Sequence, residues 1–301
     1  MTNPYKDCPI YQTDDFELRL IELNDAEELL SCYSDKLAVS RMNDDNCIFG
    51  FYIDTLENME KSIKFWLEEY KEERYARLTI KDKKAGIAVG TVEIFGGKYG
   101  CLRVDICSPY EKETYIKQIF SLAADRFMKD FSIKTLVSKV VNSDERLLTV
   151  TKLGFMPSDS FRPGLSYYEY RRKPISYCGL ACFLCSNTEC IGCESGGCDI
   201  HGWCKNYNCC KERGLSGCFE CTDFPCTGGM LDKVRIRAFS RFIKENGEEE
   251  LISLLVRNRE EGIKYHYPDS YSGDYDLGKT EEEIIDILVN GTHSVFLKKD
   301  N

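Results

Sequence analysis

Apolar and polar positions alternate along the first half of this chain in runs that predict discrete elements. Residues 15–22, DFELRLIE, alternate with period two and predict a strand, and Asp25 then opens DAEELLSCYSD, a short helix. Over 57–73 the positions Met59, Ile63, Trp66, Leu67 and Tyr70 share one face of an amphipathic helix. Three strands follow, YARLTIKD (75–82), GIAVGTVEIF (86–95) and CLRVDIC (101–107). Asp82 to Lys84 and Gly96-Gly97 punctuate them as a meander would require. A second amphipathic helix over 111–131 carries Ile116, Phe120, Leu122, Ala123 and Phe127. KTLVSKVV (134–141) is a strand, 144–153 a short helix that Gly154 stops, and SYYEYRR (166–172) a last strand.

Lys173-Pro174 ends this pattern, and helical periodicity returns only over 231–263. Residues 264–278, rich in Tyr, Asp and Gly, read as a solvated connector rather than the lining of a groove. Thr280 begins T-E-E-E, a capping box in front of IIDILVNG. The order β-α-α-β-β-β-α-β-α-β, then cysteines, then helices, predicts three parts. These are a mixed α/β domain at 1–173, a small loop-rich module at 174–228, and a helical segment at 229–301 packed with that module.

Composition supports a buried core: the 301 residues are 43% apolar and 30% charged. Mean hydropathy is −0.38, and no apolar run approaches the roughly 18 residues of a spanning helix. The start, MTNPYKDCPIYQTDD, has neither a basic n-region nor an apolar h-region, so a cytoplasmic location is expected. Net charge is −10. Residues 1–173 hold 26 Lys+Arg and 29 Asp+Glu, and the remainder 14 and 21, so neither half is basic. Nucleic acid and membrane are therefore not expected partners.

Cysteine changes the picture. Of 17 cysteines, 12 lie between Cys178 and Cys226: Cys178, Cys182, Cys185, Cys190, Cys193, Cys198, Cys204, Cys209, Cys210, Cys218, Cys221 and Cys226. Cys182/Cys185, Cys190/Cys193 and Cys218/Cys221 are C-x-x-C units, each able to offer two thiolates from one turn to one tetrahedral ion. Only about ten apolar residues other than cysteine fall in this stretch, too few to hold a unique fold without metal. The expected ligand is zinc, one to three ions, with an iron–sulfur cluster as the rival and His201 as an alternative ligand. The module carries Lys205, Lys211 and Arg213 against Glu189, Glu194, Asp199, Glu212, Glu220 and Asp223, an acidic balance that suits no phosphate backbone. Cys8, Cys32, Cys47, Cys101 and Cys107 are scattered and read as small hydrophobes.

Three local sequences carry a resemblance. They are GTVEIF (90–95), LRVDICSP (102–109) running into a helix, and NSDERLLTVTKLGF (142–155). Over residues 15–172 the chain resembles the GNAT acyltransferases, with the branch that acetylates protein N-termini and small amines as the nearest look. The resemblance implies a GNAT-like mixed sheet flanked by helices. Acetyl-CoA would lie where LRVDIC and KTLVSKVV splay apart, with the backbone of Val104 and Ile106 on the pantetheine. The pyrophosphate would sit over Glu111, Lys112, Glu113, Thr114 and Tyr115 at the following helix, where free N–H groups and the dipole favour an anion. The chain departs from the family's Arg/Gln-x-x-Gly-x-Gly/Ala loop at Glu111, Thr114 and Ile116, so that Glu111 and Glu113 would face the phosphates. The family's frequent Tyr general acid is Val150 here.

Glu93, Asp105 and Asn142 are the candidates to take the substrate's proton, with Ser143 an alternative to Asn142 and solvated strand carboxylates the plain reading of the two acids. The run YCGLACFLC…CFECTDFPC is also similar to an uncharacterised prokaryotic cysteine-rich family, over about 177–265. The expected function is an acyl-CoA-dependent N-acyltransferase acting on a small amine or a protein N-terminus. Two other readings stay open: a catalytically silent GNAT-fold scaffold whose module senses metal or contacts protein, and an iron–sulfur redox protein. The oligomeric state is open.

Overall fold

The computed structural model describes residues 3–291 apart from 46, 48–49, 98, 159–160, 172, 188–189, 191 and 194–203. Two compact units emerge: the chain to Val150 with Phe155–Tyr170, and Thr151–Gly154 with the chain from Arg171 onward.

The first unit is the expected mixed α/β architecture. Its sheet contains β1 (Tyr11–Gln12), β2 (Phe16–Leu20), β3 (Ala76–Asp82), β4 (Ala88–Ile94), β5 (Tyr99–Ile106), β6 (Thr135–Lys139), β7 (Met156–Pro157) and β8 (Tyr167–Tyr170). They lie in the order β1-β2-β3-β4-β5-β6-β8-β7. All neighbours are antiparallel except β5 and β6, which run parallel. The helices are α1 (Ala26–Tyr33), α2 (Lys36–Val39), α3 (Leu56–Lys71), α4 (Glu113–Leu122) and α5 (Asp144–Lys152). Beyond Leu122, α4 passes through a π-turn, Ala123–Phe127, into a final helical stretch, Met128–Asp130.

Register explains what each sheet face carries. Leu20, Leu78, Val92 and Val104 form one apolar rung across β2–β5. The alternate rungs are polar: Arg19–Thr79–Thr91–Asp105 and Arg77–Glu93–Arg103. Period-two alternation normally turns such rungs to water. Here α1 and α3 bury them, with Tyr33 and Trp66 in the cluster that also holds Leu29, Met59 and Ile63. Elsewhere in the unit Tyr115 of α4 packs against Phe16, and Phe127 against Tyr11.

The second unit contains α6 (Lys205–Arg213), α7 (Val234–Asn246), α8 (Glu248–Glu260) and α9 (Glu281–Asn290). Thr280 caps α9 by accepting the Glu283 N–H at 3.2 Å, but Glu283 reaches back to the Lys279 N–H, so the capping box is only half formed. The Tyr-rich stretch 264–278 is not a solvated connector. Tyr265 and Tyr275 are buried beside Phe239, and Asn258 donates to the Tyr275 hydroxyl at 3.0 Å. Arg235 ties the stretch down through the Tyr265 and Tyr271 carbonyls and the Asp276 carboxylate. Aromatic side chains in a short loop find apolar cover, which periodicity does not report.

Candidate functional site

The one parallel pairing in the sheet is short for the strands that make it. β5 and β6 pair only at Tyr99–Thr135, Gly100–Leu136 and Cys101–Val137, although β5 runs on to Ile106. The Phe95 N–H donates to the Cys101 carbonyl and the Cys107 N–H to the Val89 carbonyl. Odd-numbered residues of β5 therefore exchange ladder bonds with β4, and the backbone groups of Leu102, Val104 and Ile106 face the gap. Gly90, opposite Ile106, belongs to this construction, since a Cβ there would run into the Asp105 carbonyl.

Side chains occupy part of the gap. The Ser138 hydroxyl donates to the Leu102 carbonyl at 2.9 Å, and Arg146 Nη1 to the Val104 carbonyl at 3.0 Å. Arg146 also grips Glu111, Nε to Oε1 at 2.8 Å and Nη2 to Oε2 at 2.6 Å, with the Ser143 hydroxyl on Oε1 at 2.7 Å. Glu111 thus turns inward and is neutralised, correcting the expectation that it would face a pyrophosphate. Burial works against its charge, yet Arg146 and Ser143 outweigh burial and hold the carboxyl below the usual carboxylate range.

A folded-state value depressed in this way adds stability above the ordinary carboxylate range, and that stability is lost as pH falls through the folded value. Glu111→Gln should therefore be less stable than wild type at neutral pH, with the gap closing on acidification. Urea midpoints measured against pH test this, and parallel curves would refute it.

The start of α4 already holds an anion. Lys112 is its N-cap and gives no side-chain cap, while the Glu113 N–H donates to Glu145 Oε1 at 2.9 Å. Glu145 is exposed, as are Lys112 and Thr114, and Tyr115 is half-buried against Tyr110 and Phe16. A phosphate arriving here competes with a carboxylate that can swing into water.

Of the proposed bases, Glu93 and Asp105 are brought together and Asn142 is not. Neither acid is solvated: they are 2% and 1% exposed. Arg77 links them, through Nε to Glu93 Oε2 at 3.1 Å and Nη1 to Asp105 Oδ2 at 2.9 Å, with Nη2 also on Glu93. Arg103 Nη1 lies 3.0 Å from Glu93 Oε1. The Tyr33 hydroxyl donates to Asp105 Oδ2 at 2.9 Å, and the Arg77 guanidinium stacks 4.0 Å over Trp66. Burial, and after it the Asp105 carboxylate, push the Tyr33 hydroxyl well above its ordinary range, so it remains a donor. Asp105 Oδ1 and Glu93 Oε1 are both buried without a hydrogen-bond partner; Glu93 Oε1 has the Arg103 guanidinium at ion-pair distance, and Asp105 Oδ1 has no such cation among the described residues. Asn142 is exposed with φ 52°, and its side chain donates to the Ser40 carbonyl at 2.7 Å. Val150 is buried in α5 and has no proton to give.

In the second unit, two C-x-x-C units adopt one form. Cys182 and Cys218 each start a 3-10 turn, and the Cys185 and Cys221 N–H groups return to the Cys182 and Cys218 carbonyls at 3.2 and 3.1 Å. Cys204 is the N-cap of α6, which carries Cys209 and Cys210. Cys210 Sγ lies 3.7 Å from Cys218 Sγ, and Asn206 Nδ2 donates to Cys218 Sγ at 3.6 Å. Arg213 Nη1 donates to Cys221 Sγ at 3.2 Å. Burial pushes the Cys218 thiol up to about 12 and the Cys178 thiol up to about 11. Among the described residues no three His, Cys, Asp or Glu side chains gather as a metal site. The Cys210–Cys218 separation does fit one edge of a thiolate tetrahedron, since zinc–sulfur bonds near 2.3 Å set sulfurs about 3.8 Å apart. Cys198 and His201 lie outside the described residues.

His266 approaches this module from the C-terminal stretch. The Ser186 N–H donates to its Nδ1 at 3.2 Å, which makes Nδ1 an acceptor beside Cys185. Burial, then Arg235, pushes the imidazole down to about 4. Sequence reasoning missed Arg77, Arg103, Arg146, Glu145 and Tyr33. An arginine placed mid-strand between apolar residues, as in YARLTI, is the signal that could have found Arg77.

No described helix is long and apolar enough to cross a membrane. Residues 186–230 match the family described as "Protein of unknown function (DUF3795)". No curated protein matches the chain. Among solved structures, the chain is similar to a putative ribosomal-protein-serine acetyltransferase from Vibrio cholerae, with 14% identity, a TM-score of 0.43, and coverage of 57% of this chain and 99% of that one. It is similar to an acetyltransferase of the GNAT family from Bacillus anthracis, with 12% identity, a TM-score of 0.42, and coverage of 54% and 98%. It is also similar to Mycobacterium smegmatis RimJ in complex with CoA-disulfide, with 10% identity, a TM-score of 0.43, and coverage of 52% and 81%.

Proposed function

We propose that the first unit is an acyl-CoA-dependent N-acyltransferase and that the cysteine module is a structural zinc unit attached to it. The observation that carries the enzyme reading is the splayed edge of β5. Val104 and Ile106 turn their backbone groups into a gap that no strand fills among the described residues. An extended amide chain such as pantetheine can pair with them as a missing strand segment would. The acceptor is an amine, either a small molecule or a protein N-terminus. Its nitrogen attacks the thioester carbonyl, the C–N bond forms, the C–S bond breaks, and CoA leaves as the thiol. Asp105, with Oδ1 unpartnered, is the better base of the two acids, and Tyr33 and Arg77 position it. Lys112 meets the phosphates once Glu145 releases the α4 N-terminus. Cys210 and Cys218 would supply two thiolates to zinc, and other module cysteines the remainder. A reducing, cytoplasmic setting keeps those thiols free.

Calorimetric titration of the purified full-length protein with acetyl-CoA is the test. Binding heat and an upward thermal shift are expected, because a ligand that binds only the folded state stabilises it. No heat and no shift at about millimolar ligand would favour the second reading, a catalytically silent scaffold. The observation behind that reading is the Arg146–Glu111 pair with Glu145, which already fill the carbonyl, phosphate-loop and helix-end positions.

A further inference from the structure

A polar rung of the sheet continues past the point where β5 and β6 part. Arg77, Glu93 and Arg103 stand level across β3–β5, and Lys139 stands level with Tyr167 across β6 and β8. Cys101 pairs with Val137, so the same register carried on two residues sets Lys139 level with Arg103, at the mouth of the gap. Asp105 lies two residues further along the same face of β5, about 6–7 Å away along the strand. Asp45, from the segment between α2 and α3, brings its carboxylate to Lys139 Nζ at 2.6 Å and Arg162 Nη1 at 3.3 Å, and the Tyr167 hydroxyl donates to it at 3.0 Å. Burial works against its charge, yet Lys139 and Tyr167 outweigh burial and hold the carboxyl below its usual range. Arg77 and Arg103 balance Glu93 and Asp105, whereas Lys139 and Arg162 share this one well-held carboxylate. Asp44, 3.8 Å from Lys139, is exposed and screened by water. Glu93 Oε1 aside, two buried atoms of the network lack hydrogen-bond partners: Arg103 Nε, a donor, and Asp105 Oδ1, an acceptor. Unpaired groups of opposite kind, two residues apart on one strand face, suit a ligand with an anionic end and an amine end.

We propose that the acceptor of this site is a small amine bearing a carboxylate, an amino acid in the broad sense, and that Lys139 with Arg162 determines that specificity. The proposal rests on the acyltransferase reading above. The acceptor's ammonium donates to Asp105 Oδ1, and its carboxylate replaces that of Asp45 between Lys139 and Arg162. Asp45 is then a stand-in of the chain's own, keeping the two cations paired until the acceptor arrives. Asp45, Lys139 and Arg162 are all half-buried, so the exchange takes place within reach of water. A neutral amine brings nothing to displace Asp45. A protein N-terminus has given its carboxyl to a peptide bond and meets these cations no better.

The test measures acetyl transfer by the full-length protein to glycine, β-alanine and γ-aminobutyrate, each against its own carboxamide, at saturating acetyl-CoA. For at least one pair kcat/KM should favour the acid by about 10–100-fold, the range a charge-assisted pair supplies. Lys139→Met should collapse that preference by raising KM for the acid, and Lys139→Arg should retain it. Asp45→Asn removes the competing carboxylate and should lower the same KM, whereas a merely structural role would move the Met and Asn variants in one direction. Equal use of acid and carboxamide, transfer only to a peptide N-terminus, or a preference that survives Lys139→Met would overturn the proposal and leave the acyltransferase reading standing. No transfer to any amine, with no heat from acetyl-CoA, would remove that reading and this proposal together. The wild-type preference decides the matter where a variant folds poorly.

Discussion

Arg77→Met is expected to lower the unfolding free energy by about 3–5 kcal/mol, because it strands buried carboxylates without their cation. The network is electrically even, with Arg77 and Arg103 against Glu93 and Asp105, and its four side chains are 8% exposed or less. Removing Arg77 leaves Glu93 with Arg103 alone and Asp105 with only the Tyr33 hydroxyl. A domain of this size has about 5–15 kcal/mol in total, so the loss is a large share of it. The double variant Arg77→Met with Asp105→Asn restores the balance and should recover much of that loss. Urea denaturation of both variants makes the comparison. If the double variant is as unstable as the sum of its parts, charge balance is not what the network provides.

Metal removal should have the other large effect. Three of the six buried members of the cluster around α6 and α7, Cys178, Cys210 and Cys218, are cysteines packed with Tyr177, Leu231 and Ile236. Such a core has little apolar surface of its own, and structural zinc supplies on the order of 10 kcal/mol to modules of this kind. A strong chelator should abolish the cooperative melting of the second unit while the sheet unit still melts. Elemental analysis after anaerobic purification should find one to three zinc ions per chain. Fewer than about one tightly held ion would defeat the zinc reading, and iron with visible absorbance would replace it with a cluster.

Much of the sheet unit was legible because its strands and helices obey single periods. β3, β4 and β5 begin and end within two residues of the alternating runs, and α3 follows its apolar stripe. What covers a polar face was not legible. Period two assigns Glu93 and Asp105 to one side of the sheet, and water was the natural expectation there. Instead α1 and α3 lie on that side, and arginines one strand away settle the charge. The acceptor of Arg146 was equally hidden, since Glu111 is 35 residues distant and Glu145 caps a helix 32 residues back. No local pattern spans such separations. α6 escaped because KNYNCCKER has cysteines where a periodic stripe would have leucines. The two-residue strands β1 and β7 are shorter than any alternation can reveal.

Those short strands matter for how the chain behaves among its own copies. The sheet's two rims are β1 and β7, each two residues long, and β7 ends on Pro157, which has no N–H to offer. A rim of that length gives a neighbouring chain almost no backbone to copy. The outer rims of the sheet therefore present almost no template for edge-to-edge growth between copies of the chain.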